Sequence, residues 1–170
     1  QYVARLLDRS MPNAFLDDFL PFQEYVAQYG LYNSLAQVLV KMAAPGVPDC
    51  YQGTELWDFS LVDPDNRRPV DFEGRAQLLA GLSNDAAASP DRVAFMRDLF
   101  VQRADGRIKL FLTAEALRYR RNHCALFQSG EYVPLKGIGE KHEHIFAFAR
   151  IHEDESIIAV IPRLLARMIP

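Results

Sequence analysis

The sequence predicts an α+β chain with its helices first and its strands last. Apolar residues recur at helix-like intervals from the first residues to about Arg121. After Asn122 they gather into short runs rich in branched and aromatic side chains, punctuated by Gly130, Gly137, Gly139 and Asp154. Between the helices, residues 52–70 are so rich in Asp, Asn, Arg, Gly and Pro that no regular element fits them. Helices followed by strands place a boundary near residue 122, with 1–122 mostly helical and 123–170 the start of a β domain.

Residues 1–43 read as helical, with Ser10 and Asn13 as N-cap candidates and Phe15, Phe19, Phe22, Tyr25 and Val26 at helical spacing. Pro21 predicts a kink or break within that pattern, and Gly30 a C-terminal stop. Asn33 or Ser34 then caps a second, well-buried helix through Leu35, Val38, Leu39 and Met42. Pro45, Gly46 and Pro48 end it, and a short extended segment follows over 48–51. The long polar stretch after it holds Trp57, Phe59 and Leu61, which predicts an ordered loop packed on the body. Helices resume over 72–82, 91–101 and 108–121. Ser89-Pro90-Asp91 supplies an N-cap, a proline at the first position and an early acid for the middle one. Strands are expected over 124–126, 132–135, 145–151 and 157–165. In the third of these, Ile145, Ala147, Ala149 and Ile151 alternate with Phe146, Phe148 and Arg150.

At 49% hydrophobic and 24% charged, the 170 residues are globular in composition rather than disordered. A net charge of -3 argues against nucleic acid as a partner, since that needs a concentrated basic surface. The nearest approach to one, Arg118, Arg120 and Arg121, reads as the solvated side of a helix end. No apolar run reaches the roughly 20 residues of a membrane span, and no signal-peptide pattern precedes residue 10. Cys50 and Cys124 form no metal or redox motif and read as buried free thiols, which favours a reducing compartment, the cytoplasm. The chain begins with Gln1 and ends directly after an apolar segment, so it reads as a fragment.

The stretch from Ala44 to Glu55 (APGVPDCYQGTE) resembles the last strand of the catalytic barrel in the amylase superfamily. Its continuation from Leu56 to Asp71 (LWDFSLVDPDNRRPVD) is more specific and is similar to maltooligosyltrehalose synthases, as are Asn33-Ser34-Leu35 and Pro162-Arg163-Leu164. The resemblance is tightest over 44–75 and loosest over 84–106. It implies a fragment: the last strand and flanking helices of a (β/α)8 barrel, followed by a truncated C-terminal antiparallel β domain. It also implies intramolecular transglucosylation, which turns the reducing-end α-1,4 bond of a maltodextrin into an α,α-1,1 bond. The implied partners are a maltooligosaccharide and the remainder of the barrel, with no cofactor or metal. In such barrels the loops after the strands build the active site, so the loop that starts at Gln52 should reach that face.

Glycosyl transfer of this kind requires two opposed carboxyl groups. In the superfamily these and a third, stabilising Asp come from earlier strands, and the His-Asp pair that accompanies the third is missing. Here His123, His142, His144 and His152 are followed by Cys, Glu, Ile and Glu. No catalytic residue is therefore assigned to this chain, and the fragment is expected to be inactive alone. The candidate sugar contacts are Tyr51, Gln52, Glu55, Asp63 and Arg68, with Trp57, Asp65, Asn66 and Arg67 behind them. A purely structural role competes for each. Asp63-Pro-Asp-Asn is also a good turn, and Arg67 and Arg68 suit fork-like pairs with Asp58 or Asp71.

Other patterns are weaker. Asp63-x-Asp-Asn has Arg68 where a calcium loop needs glycine. His142-Glu-His144 would put two imidazoles on one strand face but lacks further ligands. Gly137-Ile-Gly139 is not a dinucleotide fingerprint. Two other functions compete with the enzyme fragment: a non-catalytic carbohydrate-binding or interaction module on the β half, and a different glycosidase site at Glu55, Asp63 and Asp65. Leu35, Val38 and Val47 are expected to face absent partners and to leave apolar surface exposed.

Overall fold

Asn13 starts the longest element. In the computed structural model, which describes residues 2–169, its side-chain oxygen accepts from the Leu16 amide at 3.2 Å. Its amide nitrogen donates back to the carbonyls of Leu6 and Asp8, which fastens the short helix α1 (Tyr2–Leu6) to the helix it opens. That helix, α2 (Ala14–Ala43), runs unbroken through both Pro21 and Gly30, where a break and a stop are expected from sequence. Pro21 lies on an exposed face, so the carbonyl it cannot serve stays open to water, and Gly30 is an exposed position with nothing packed on it. Asn33 and Ser34 accordingly sit inside the helix and cap nothing.

Residues 48–51 form no strand. A parallel strand needs neighbours on its edges, and the sheet among the described residues is antiparallel and lies elsewhere. Helix α3 (Phe72–Ala88) is capped by Asp71, which accepts from the Gly74 amide at 2.8 Å. Asp91 caps α4 (Arg92–Val101) through the amides of Val93 and Ala94, so the cap falls two residues later than Ser89. Gly106 then turns with φ 81°, and a Cβ there would meet the Trp57 nitrogen at 3.2 Å, so both dihedral and space require glycine. Helix α5 (Arg107–Asn122) follows.

The run after it is not a strand. Residues 124–129 form α6 (Cys124–Ser129), which buries Leu126 and Phe127 together. The sheet consists of β1 (Glu131–Leu135), β2 (Ile145–His152) and β3 (Glu155–Pro162), in that order and antiparallel throughout. Val133 pairs with Ala149, and Phe148 with Ala159. His142 and His144 lie on a tight helical turn before β2 rather than on a strand.

Two apolar clusters hold the molecule together. One joins Leu82 and Ala86 of α3, Leu99 of α4 and Ile108, Leu110 and Phe111 of α5. The other joins Ala43 of α2 to Phe148, Ala159 and Ile161 of the sheet. Helix α2 serves both, because Leu35 packs on the first and Leu39 and Val40 on the second. Val38 is buried and Leu35 half-buried within the chain, contrary to the sequence expectation, whereas Val47 is 95% exposed. The loop is packed only in part: Trp57 joins the first cluster, but Phe59 is 83% exposed and Leu61 is exposed too.

The cation-rich end of α5 also differs from expectation. Arg120 donates to the carbonyls of Met42, Ala44 and Gly46 at the end of α2, and Arg118 pairs with Glu115; Arg121 alone is solvated as expected. Both cysteines are exposed, not buried. Among the described residues no group of three or more His, Cys, Asp or Glu is placed to hold a metal. Among the described residues no helix is long and apolar enough to cross a membrane.

Candidate functional site

The polar stretch leaves the end of α2 and is built as a turn, a clamp and an exposed tip. Thr54 closes the turn, donating from both its amide and its hydroxyl to the Tyr51 carbonyl. Gly53 takes φ 90° at its centre and is buried. Tyr51 and Gln52 project from this turn, both exposed, and their side chains make no hydrogen bond among the described residues.

Glu55 is engaged instead. Its Oε2 accepts from the Gly53 amide at 3.1 Å and from Arg75 Nη1 at 3.0 Å, and the same Arg75 nitrogen donates to the Gly53 carbonyl. Trp57 donates from Nε1 to the Arg103 carbonyl at 2.7 Å. Lys109, 8% exposed, donates from Nζ to the Leu56 carbonyl at 3.1 Å and stands 5.4 Å from the centre of the Trp57 ring. Arg75, Arg103 and Lys109 lie on or beside three different helices, so residues 53–57 are clamped to the helical body. Burial pushes the Lys109 ammonium below the ordinary lysine range, helped by Lys41; Asp58, Glu55 and Cys50 pull the other way.

Beyond the clamp, local hydrogen bonds shape the tip. Asp58 accepts from the hydroxyl and amide of Ser60, which holds its carboxyl below the usual aspartate value. Asp65 accepts from the Leu61 amide at 2.8 Å. Arg67 pairs with Asp63 and Arg68 with Asp65, so the acids that bind these two arginines are neither Asp58 nor Asp71. The Asp63 hydrogen bond raises the Arg67 pKa, with a smaller contribution from the nearby Tyr51.

The five candidates therefore do not converge on one point. Tyr51 and Gln52 stand at the turn with free polar groups, and Glu55 faces the helices. Asp63 and Arg68 sit at the tip, each held by a neighbour. The residues that sequence reasoning missed are Arg75 and Lys109. Lys109 left a trace, as a lone cation within the apolar run from Ile108 to Leu112 on a helix. Arg75 left none, because its partners lie about twenty residues upstream and only the fold brings them together.

No protein-family model matches the chain. A Mycobacterium tuberculosis protein named as a maltooligosyl trehalose synthase is 39% identical over 128 residues, covering 75% of this chain and 14% of the relative. A variant of maltooligosyltrehalose synthase from Arthrobacter ramosus shares the fold with a TM-score of 0.68 and 35% identity, over 91% of this chain and 18% of that one. A second solved maltooligosyl trehalose synthase gives 0.62 and 28% over 87% of this chain, again a minor part (23%) of the longer protein. In sequence and in fold, the chain is thus a homologue of one part of the maltooligosyltrehalose synthases, the family to which residues 44–75 point.

Proposed function

We propose that this chain is a C-terminal portion of an enzyme that converts the reducing-end α-1,4 bond of a maltodextrin into an α,α-1,1 bond. Its homology to maltooligosyltrehalose synthases over three quarters of its length carries the reading. Residues 48–51 take the position of the last barrel strand in the complete enzyme, and the loop that follows contributes to the wall against the sugar. Tyr51 and Gln52 are its foremost contacts, because their polar groups are exposed and uncommitted. Asp63 and Arg68 offer further hydroxyl partners from the tip, and Glu55 acts chiefly by fixing the turn through Arg75. The reacting carboxylates belong to the remainder of the barrel. An acid already bound to an arginine or to backbone amides is poorly placed to share one glycosidic bond with a second acid on the same short loop.

The test is direct. The 170-residue chain alone should release no trehalose-ended product from maltopentaose, whereas the complete enzyme that carries this segment should turn it over. Turnover by the chain alone would place the carboxylates here and overturn the assignment.

A further inference from the structure

Lys109 occupies the first turn of α5, between the buried residues Ile108 and Leu110. An ammonium in that place is costly twice over. Burial strips its water, and the helix N-terminus sets partial positive charge beside it. Among the described residues no carboxylate lies within ion-pair distance of it. A methionine would fill the same space without that cost.

What the lysine does make is contact with one segment. Its Nζ donates to the Leu56 carbonyl at 3.1 Å and lies 5.4 Å from the centre of the Trp57 ring. With Thr54 and Glu55 it also lines a recess of about 170 Å³ beneath the turn. Leu56 and Trp57 join the turn that presents Tyr51 and Gln52 to the exposed tip at 58–68. Nothing else donates to the Leu56 carbonyl among the described residues.

We infer that Lys109 is a positioning residue, which sets the path of residues 55–57 and thereby the aim of the loop that meets the sugar. The inference rests on the function proposed above. It assigns the cost of the buried cation to substrate binding rather than to stability, as with other residues that sacrifice stability for a fixed site.

The complete enzyme with Lys109→Met and Lys109→Arg tests it with maltopentaose as substrate. The Met variant should raise KM by about fivefold or more with kcat within about twofold of wild type, because only sugar contacts are displaced. Lys109→Arg keeps a donor to the Leu56 carbonyl and should recover most of the loss. A lysine that only packs would lower the active fraction, and with it kcat, at unchanged KM. Unchanged KM in the Met variant overturns the inference and leaves the proposed function standing; a wild-type enzyme without transglucosylation overturns both. Should the Met variant fail to fold, Lys109→Leu removes the same donor to the Leu56 carbonyl with a shorter apolar side chain. The same rise in KM is then expected, and its absence refutes the inference.

Discussion

Arg75 links two parts of one turn, since one of its nitrogens reaches both the Glu55 carboxylate and the Gly53 carbonyl. The pair is about a quarter exposed, so solvent screens part of its strength. Arg75→Met, which keeps the alkyl stem, should cost about 1 kcal/mol in urea unfolding. Lys109 has the opposite balance. Its pKa is lowered on folding, so at low pH both folded and unfolded states carry the proton and the burial penalty is felt in full. As pH climbs through the depressed value the folded state loses its proton first, the unfolded chain binds more, and stability rises. Wild type should therefore gain stability relative to Lys109→Met between that value and the ordinary lysine pKa, followed by urea midpoints across pH; a flat difference would refute it. Gln52 was legible in the sequence as the start of an exposed polar loop, whereas Tyr51, expected in an extended segment, stands instead in a turn closed by Thr54. The clamp was not legible, since a lysine inside an apolar helix run carries no mark of which distant carbonyl it will meet.

At the scale of elements, legibility divides along the range of the interactions. The helix that starts near Asp91 follows from its cap and β2 from alternation, which are local, while the helix from Phe72 was legible at its start but runs on to Ala88. Helix α2 defeats local reading, because its C-terminal half is held by the helical cluster on one side and the sheet on the other. That packing anchors the helix from Leu35 onward, while Pro21 and Gly30 lie on its exposed face, where water can serve the carbonyl that Pro21 leaves open. Helix α6 fails for a related reason: a three-residue apolar run fits either period, and burying Leu126 and Phe127 side by side selects the helix. Gly30 supplies the test. It is helical and exposed, and a Cβ there would meet nothing within 4 Å. Gly30→Ala should thus stabilise the chain by about 0.5–1 kcal/mol by limiting the unfolded backbone. A loss in thermal unfolding would mean that α2 bends at this point.

Across the whole molecule, the join between sheet and helices depends on a cation without an acid. Arg150 on β2 is 1% exposed and donates to the carbonyls of Ala43, Leu126, Phe127 and Gly130. Arg120 binds neighbouring carbonyls at the same end of α2, and both guanidinium groups lie against the Phe127 ring, at 4.9 and 5.9 Å. Burial lowers the Arg150 pKa, and the Arg120 charge lowers it further, yet no carboxylate compensates among the described residues. The compensating charge comes from backbone: the carbonyl ends of α2 and α6 carry the negative pole of each helix, and the Phe127 ring adds its π face. Removing the guanidinium leaves several carbonyls without a donor where water cannot readily follow. Arg150→Met should therefore cost about 3 kcal/mol, well above Arg120→Met, whose carbonyls at 44 and 46 are more open to solvent. Hydrogen exchange locates the damage. Amides of α6 and the β1–β2 ladder should lose protection in Arg150→Met while the α3–α5 cluster keeps its own, because Arg150 ties the sheet to α2 and α6 but touches nothing in that cluster. Equal loss everywhere would mean that the two apolar clusters unfold as one unit and that the arginine is no separate joint.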